Sequence, residues 1–169
     1  AVIFDAEGNP SGVRGVTIDV TERKRSEEAL RQSEERYRDL VENAIDIIYV
    51  HDLAGNYTSV NKAVEKITGY SQNEILSKNM GETLAPEYLG KAKNMMAAKL
   101  AGKDFTAYEV EIIAKDGRRI AVEVNSRLMY EDGKPVGIQG IARDTTERKH
   151  LEDKFRQSQK LEAIGLLAG

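Results

Sequence analysis

The sequence offers few side chains that could carry out catalysis. It contains two histidines, His51 and His150, and no cysteine. The absence of cysteine excludes disulfides, zinc–thiolate sites, iron–sulfur clusters and thiol nucleophiles. No carboxylate pair, serine triad or phosphate-binding loop with a helix behind it stands out. We therefore expect no catalytic residues and no metal site within this chain, and we look for binding chemistry instead.

Charged side chains give little indication of a specific partner. The chain has 25 Lys+Arg and 28 Asp+Glu residues, a net charge of −3, so no general affinity for nucleic acid is expected. Lys115, Arg118 and Arg119 lie at a predicted hairpin tip and could bind an anion, although such clusters are usually only solvated. No apolar run approaches the roughly 18 residues that cross a bilayer, so membrane insertion is not expected.

Hydrophobic periodicity predicts the elements that must position any binding site. Residues 21–44 lack Gly and Pro and are rich in Glu, Arg, Lys and Gln, which predicts a long amphipathic helix. From Asp46 the pattern predicts a hairpin, several short helices and a longer helix after Pro86. Three strands follow, joined by the turns KDGR and EDGKP. This order predicts an α+β fold with helices on one face of an antiparallel sheet.

Part of the sequence occurs twice, at a separation of about 125 residues. Thr21-Glu22-Arg23-Lys24 recurs as Thr146-Glu147-Arg148-Lys149, and the repeated residues before it include Gly8, Pro10, Gly12, Gly15 and Asp19. In both copies the pattern Asp-x-x-Glu predicts an aspartate cap at a helix start. We expect four segments: the tail of an upstream module (1–20), a connecting helix (21–44), a complete second module (45–145) and an exit helix (146–169).

Between about residues 37 and 149 the sequence resembles the PAS sensory domains. The resemblance is carried by Asn61, Thr68-Gly69-Tyr70-Ser71, Glu74-Ile75-Leu76, Lys115-Asp116-Gly117-Arg118, Asp132-Gly133-x-Pro135-x-Gly137 and the ending Arg143 to Lys149. Together, in this order, these motifs are specific. The resemblance implies a five-stranded antiparallel sheet, with short helices and one long helix on one face. Coiled-coil-like helices would flank this domain at both ends.

The end of the chain resembles a second kind of sequence. Residues 159–169 are similar to the start of the dimerisation helix of sensor histidine kinases, ahead of their phosphoacceptor histidine. His150 lies upstream of that motif and is not the acceptor. The resemblance implies a parent ATP-dependent histidine kinase of two-component signal transduction, in the cytoplasm or anchored to a membrane upstream. This part of it would have no kinase activity.

PAS domains can hold a small molecule between the sheet and the long helix. The residues expected to line such a pocket here are Ile48, Val50, Met95, Met96, Tyr108, Val110, Ile112, Val122, Val124 and Ile138. An ordinary filled core would use the same residues. No cofactor is predicted: a flavin–thiol adduct requires cysteine, and haem-binding relatives use a histidine on the long helix, where this chain has none. An unknown small-molecule ligand remains open.

The flanking helices predict a homodimer. Leu151, Ser158 and Gly165 lie seven residues apart, as do Lys154, Leu161 and Ala168, which indicates an imperfect coiled-coil seam. The residues expected at the dimer helices are Leu30, Tyr37, Leu40, Leu151 and Leu161, and those expected to relay a signal are Asp144, Thr146 and Glu147. We expect a signal-input and dimerisation module that passes ligand or partner binding to the kinase domains. The alternatives are a ligand-free dimerisation spacer and a cofactor-bearing redox or gas sensor.

Overall fold

The structure is a computed structural model that describes residues 2–13, 19–103 and 105–168, and it divides into two compact units. In the first, residues 1–38, strands β1 (Val2–Phe4) and β2 (Pro10–Val13) form an antiparallel hairpin. Helix α1 (Thr21–Glu42) begins in this unit and ends in the second. The predicted helix 21–44 is therefore two residues too long. Gly15, which belongs to the sequence repeat, lies outside the described residues.

The second unit, residues 39–169, is built on the five-stranded antiparallel sheet that the sequence predicts. Its strands have the spatial order β4-β3-β7-β6-β5. They are β3 (Ile47–Asp52), β4 (Tyr57–Val60), β5 (Phe105–Ile113), β6 (Arg119–Glu131) and β7 (Lys134–Asp144). The hairpins β5–β6 and β6–β7 turn at Gly117 and Gly133, both of which have positive φ angles. Along β5 and β6 buried and more exposed side chains alternate, and Val110, Val122 and Val124 are among the buried ones.

Four helices connect β4 to β5. They are α2 (Ala63–Thr68), α3 (Gln72–Leu76), α4 (Met80–Thr83) and α5 (Leu89–Leu100), with a 3₁₀ turn (Pro86–Tyr88) before the last. Ser71 and Glu74 form a capping box at α3, which satisfies backbone N–H groups that the first turn leaves free. The sequence analysis did not predict α4, although Asn79 and Glu82 form the same kind of capping box. Helix α6 (Thr146–Ala168) follows β7.

The two copies of the repeat begin their helices in the same way. The Thr21 backbone N–H donates to Asp19 Oδ1 at 2.9 Å, and the Thr146 backbone N–H donates to Asp144 Oδ1 at 2.8 Å. Both aspartates therefore cap the helices as the repeated pattern predicts. Among the described residues, neither of these long helices nor any other has the length and apolar character needed to span a bilayer.

The basic cluster at the β5–β6 turn is matched by carboxylates. Lys115 Nζ lies 2.6 Å from Glu74 Oε1, and the Arg118 guanidinium lies 2.6 Å from an oxygen of Asp116. Arg119 pairs with Glu87 and Glu111. The Lys115 contact, with further hydrogen bonds from Ser71, lowers the pKa of Glu74 to about 2. These pairs neutralise the cluster, so the structure does not support a role for it as an anion site.

Candidate functional site

A cavity lies between the sheet and the helices that cover it. Its volume is about 70 Å³, and its wall combines aliphatic side chains with tyrosine and histidine. Of the residues that the sequence predicted, the structure places the following on the wall: Tyr108, Val110, Ile112, Val122 and Val124. The volume corresponds to roughly five water-sized groups, since one water needs about 10–15 Å³. The core is therefore packed around a small open space.

The prediction for Ile48 and Val50 is wrong. Ile47, Tyr49 and His51 line the cavity instead, and both predicted residues are only half-buried on the opposite face of β3. Successive side chains of a strand point to opposite faces, so an error of one position moves the whole set. Ile48 and Val50 were expected on the inner face because both are aliphatic. The alternation of side chains along the strand, counted from Ile47, was the signal that could have corrected this expectation.

Three other predicted residues do not line the cavity. Met95 and Met96 are half-buried on α5, and Ala92, one turn earlier, is the α5 residue on the cavity wall. Ile138 is buried on the inner face but is not part of the wall. Its partner in β3 is His51, at the end of the cavity-lining run of that strand. Ala92, Met95 and Met96 share one side of α5, so the docking of the helix, which the sequence could not determine, decides which of its turns reaches the cavity.

His51 is buried on the inner face of β3. The residue is 4% exposed, and its ring stacks on that of Tyr49 with 5.8 Å between centroids. Its Nδ1 lies 2.7 Å from the Asp52 backbone carbonyl, which can only accept, so Nδ1 carries the proton. In the neutral ring Nε2 is then a hydrogen-bond acceptor. Burial lowers the pKa of His51, and the charge of Lys99 adds to that effect.

Three tyrosines surround His51 or face it across the cavity. Tyr57 packs edge-on against both Tyr49 and His51, and its hydroxyl lies 2.9 Å from Thr83 Oγ1. Burial raises the pKa of Tyr49, Tyr57 and Tyr108, so all three phenols stay protonated. Of these three tyrosines, only Tyr108 was expected on the cavity wall. The cavity is therefore lined by neutral hydrogen-bonding groups set in an apolar surface.

The burial of His51 predicts a pH dependence of stability. Its pKa in the folded protein is lowered, so the unfolded chain takes up a proton as the pH falls through about 6.5 while the folded chain resists protonation. Stability should therefore decrease between about pH 7.5 and about pH 5.5, and this decrease should be smaller in His51→Gln. Urea unfolding at both pH values measures it. His150→Gln changes an exposed helix residue and should keep the wild-type difference; equal slopes in all three proteins would contradict the prediction.

The junction between the sheet and α6 is held by backbone contacts to a single residue of β6. The Ala121 backbone N–H donates to Thr146 Oγ1 at 3.1 Å. Its carbonyl accepts from the Thr145 backbone N–H at 2.8 Å and from the Thr145 hydroxyl at 3.2 Å. Thr145 is buried, and the sequence analysis did not identify it. Asp144 and Thr146 lie at the junction as predicted.

Basic residues in the first turn of α6 pair with the outer face of the sheet. Lys149 Nζ lies 2.8 Å from Glu109, and Arg148 lies 3.6 Å from Glu109 and 3.5 Å from Glu123. Glu147, which was predicted as a relay residue, is exposed and makes no side-chain hydrogen bond or ion pair recorded among the described residues. The ionic contact between helix and sheet is therefore carried by its two basic neighbours.

The long helices expose the apolar residues predicted for a dimer. Leu30, Tyr37 and Leu40 of α1 are each more than half exposed, as are Leu151 and Leu161 of α6. Phe155 and Ile164, which the prediction omitted, are also exposed on α6. Gly165 and Ala168 of the predicted seam lie where side chains are not described.

Fold and sequence comparisons define the class of protein. A family model for the PAS fold matches residues 35–145, more than half of the chain. The chain belongs to the PAS family, as its sequence motifs indicated. The five-stranded sheet, the helices that cover it and the cavity between them all lie within this matched region.

Curated relatives of the chain include sensor proteins. It is 33% identical over 139 residues to the methyl sulfide methyltransferase-associated sensor of Methanosarcina acetivorans, covering 81% of this chain and 14% of that protein. It is 29% identical to the two-component sensor PprA of Pseudomonas aeruginosa, covering 97% of this chain and 18% of that protein. The histidine kinase FilI of Methanothrix harundinacea is 30% identical, covering 71% and 14%. The chain thus spans less than a fifth of the length of each.

Solved structures agree with the fold. A PAS domain from Colwellia psychrerythraea has a TM-score of 0.62 at 24% identity, covering 70% of this chain and 98% of that one. A domain of a sensory box sensor histidine kinase/response regulator from Geobacter sulfurreducens has a TM-score of 0.57 at 32% identity, covering 68% and 96%. The chain is therefore similar in sequence and in fold to input domains of sensor kinases.

Proposed function

We propose that this chain is a signal-input module of a cytoplasmic sensor histidine kinase. A small molecule or partner acts on the cavity side of the sheet, and α6 carries the response to kinase domains of the same protein. The similarity to sensor proteins supports this function. The chain itself senses the signal and positions α6, while phosphoryl transfer belongs to the other domains.

The observation that supports the relay most directly is the position of Ala121. Its neighbour Val122 is fully buried and lines the cavity, while Ala121 itself makes the three hydrogen bonds that hold the start of α6. Adjacent residues of a strand point to opposite faces. A displacement of β6 caused from within the cavity therefore reaches the helix start through a single peptide unit. Ligand action requires a different affinity for the two positions of the helix.

The ion pairs of Arg148 and Lys149 give the helix start a second attachment that can change. Their partners on the sheet are carboxylates on the outer face of β5 and β6, Arg148 also lies 4.0 Å from Glu152 within α6, and the pairs are solvent-exposed. Exposed pairs are individually weak, about 0–1 kcal/mol. Attachments of this strength can be exchanged when α6 rotates, whereas the buried hydrogen bonds of Thr145 act as the fixed point.

We also propose that the active form is a parallel homodimer. The exposed apolar residues of α1 and α6 need a cover, and the heptad spacing of Leu151 and its successors would place a second α6 against them. Polar and small residues interrupt the seam. A seam of this kind holds two helices together weakly enough to allow a change of register or rotation.

The relay is tested by substituting Asp144 in the full-length protein. Asp144→Ala removes the cap of α6 and should reduce the stimulus-dependent change in autophosphorylation toward none, at a cost in stability of about 1 kcal/mol. The measurement is autophosphorylation with and without stimulus. Asp153→Ala, an exposed position further along α6, is the matched control and should keep wild-type regulation. Unchanged regulation in Asp144→Ala would rule out the junction as the coupling element.

A ligand-free dimerisation spacer is the second candidate, because the exposed helices alone would suffice for it. A cofactor-bearing sensor is a third, and it would show visible absorbance. Native mass spectrometry and an absorption spectrum of the purified chain separate the three. A bound small mass supports the sensor, a colourless dimer without bound mass supports the spacer, and a monomer contradicts the dimer proposal.

A further inference from the structure

Three hydroxyl groups meet on the inner face of the sheet beside the cavity. Gly140 lies between Tyr49 and Ser126 in the strand pairing, and the Tyr49 hydroxyl lies directly over it. Ser126 is 3% exposed, and no group among the described residues makes a hydrogen bond of normal distance and geometry with its Oγ. It is nevertheless close enough to the phenols of Tyr49 and Tyr108 to lower the pKa of each against the effect of burial. A buried hydroxyl without a hydrogen-bond partner destabilises the folded protein unless a ligand supplies that partner.

A buried cation lies behind the same wall. Lys99 of α5 is 2% exposed, and its Nζ lies 5.7 Å from the centre of the Tyr108 ring. Among the described residues no carboxylate oxygen is within 4 Å of it, and burial alone lowers its pKa. No acidic residue lines the cavity in the part of the chain that the structure describes. Positive charge in an interior of low dielectric favours an anion nearby.

At His51 the cavity offers a hydrogen-bond acceptor and no positive charge. Its Nε2 is an acceptor, because Nδ1 donates to the Asp52 carbonyl, and its ring forms part of the cavity wall. An anionic oxygen would be repelled by that lone pair, whereas a hydroxyl would donate to it. Hydroxyl donors with the charge of Lys99 behind them therefore lie at one part of the cavity, and the lone pair of His51 Nε2 lies at another. The volume admits a ligand of roughly five or six heavy atoms.

We propose that the cavity binds a short hydroxycarboxylate. Its carboxylate would be held by the hydroxyls of Ser126, Tyr49 and Tyr108 in the field of Lys99, and its hydroxyl would donate to His51 Nε2. This inference rests on the proposed sensing function and specifies the chemistry of its ligand. The aliphatic wall residues, such as Val122 and Val124, would enclose the short carbon chain.

Three probes of similar size test the proposal on the purified chain. Lactate carries both groups, propionate lacks the hydroxyl, and lactamide lacks the charge. Calorimetric titration should give the tightest binding for lactate, with roughly tenfold weaker binding for propionate and for lactamide, as expected when one buried group loses its partner. Equal binding of lactate and lactamide would overturn the role of charge, and equal binding of lactate and propionate would overturn the role of His51.

Two variants tie the binding to these residues. Lys99→Met keeps the length of the side chain and should weaken lactate binding at least roughly tenfold, while Lys93→Met, exposed on the same helix, should not. Ser126→Ala should weaken binding but leave the Tm of the free protein unchanged or raised, since its hydroxyl has no partner to lose. A lower Tm would mean that the hydroxyl is structural and would overturn its assignment to the ligand.

The failure of this proposal can be distinguished from failure of the sensing function. If lactate does not bind but a neutral molecule copurifies with the chain, the ligand class is wrong and sensing stands. If neither lactate nor any copurified molecule is bound while Asp144→Ala still abolishes regulation, the proposal is also overturned, and the stimulus must be a partner. Binding of lactate that survives Lys99→Met contradicts the site as assigned.

Discussion

Replacing Asn61 with alanine should lower the free energy of unfolding by about 3 kcal/mol, one of the two largest effects that we expect. The side chain is 1% exposed. Its Oδ1 accepts from the Ile48 backbone N–H at 2.9 Å, and its Nδ2 donates to the carbonyls of Val41 and Asp46 at 2.9 and 3.1 Å. Alanine removes all three hydrogen bonds. The Val41 carbonyl keeps the Ala44 backbone N–H at 3.3 Å, while the Ile48 N–H and the Asp46 carbonyl each lose this partner at a cost of about 1–3 kcal/mol if water cannot reach them.

Urea unfolding of wild type and variant measures this loss. Asn73→Ala is the matched control, because Asn73 is exposed on α3, and its effect should stay within about 0.5 kcal/mol. Asn61→Asp keeps an acceptor for Ile48 but loses both donated bonds, so its effect should also be large. An Asn61→Ala variant as stable as the Asn73→Ala control would show that the three contacts contribute nothing net.

Replacing Gly140 with alanine should destabilise the protein by about 2–3 kcal/mol. A Cβ at this position would lie 2.4 Å from both Cζ and the hydroxyl oxygen of Tyr49. That ring is held between His51 and the sheet, so it cannot move aside without disturbing the cavity wall. The same substitution at Gly90 meets no atom within 4 Å and removes a helical glycine, so it should be neutral or stabilising by up to about 1 kcal/mol.

Gly140→Ala should lower the free energy of unfolding, whereas Gly90→Ala should leave it unchanged or raise it. Both free energies of unfolding come from chemical denaturation, with Tm as a second measure. In a Tyr49→Leu background the cost of Gly140→Ala should fall below about 1 kcal/mol, because the clash is gone. If Gly140→Ala is equally costly in both backgrounds, the destabilisation does not come from the tyrosine ring.

Much of the structure could be predicted from local patterns. The helix caps at Asp19 and Asp144 were correctly located, because each depends only on residues within one turn. The three strands of the last third were identified, because alternation and Gly-containing turns are local signals. Local patterns also predicted short helices and one longer helix between β4 and β5. Helix α4, which is four residues long, was not among them.

The functional surface was predicted less well, and the errors have a common cause. On β3 the inner residues are Ile47, Tyr49 and His51, and aliphatic character alone favoured the outer pair. On α5 the turn that reaches the cavity contains Ala92, one turn before the methionines on the same side of the helix. On the strand a change of one position reverses which side chain faces the cavity, and on the helix the docking of α5 decides which turn reaches it.

The sequence by itself determined the family, the α+β architecture, the capped helix starts and the lack of cysteine chemistry, because each follows from residue type or local spacing. Only the tertiary structure decided that Ser126 is buried without a partner, that Lys99 lies behind Tyr108, and that Ala121 links the cavity wall to α6. These relations join residues far apart in the chain. They depend on strand register and helix rotation, which packing of the whole core sets and no local pattern encodes.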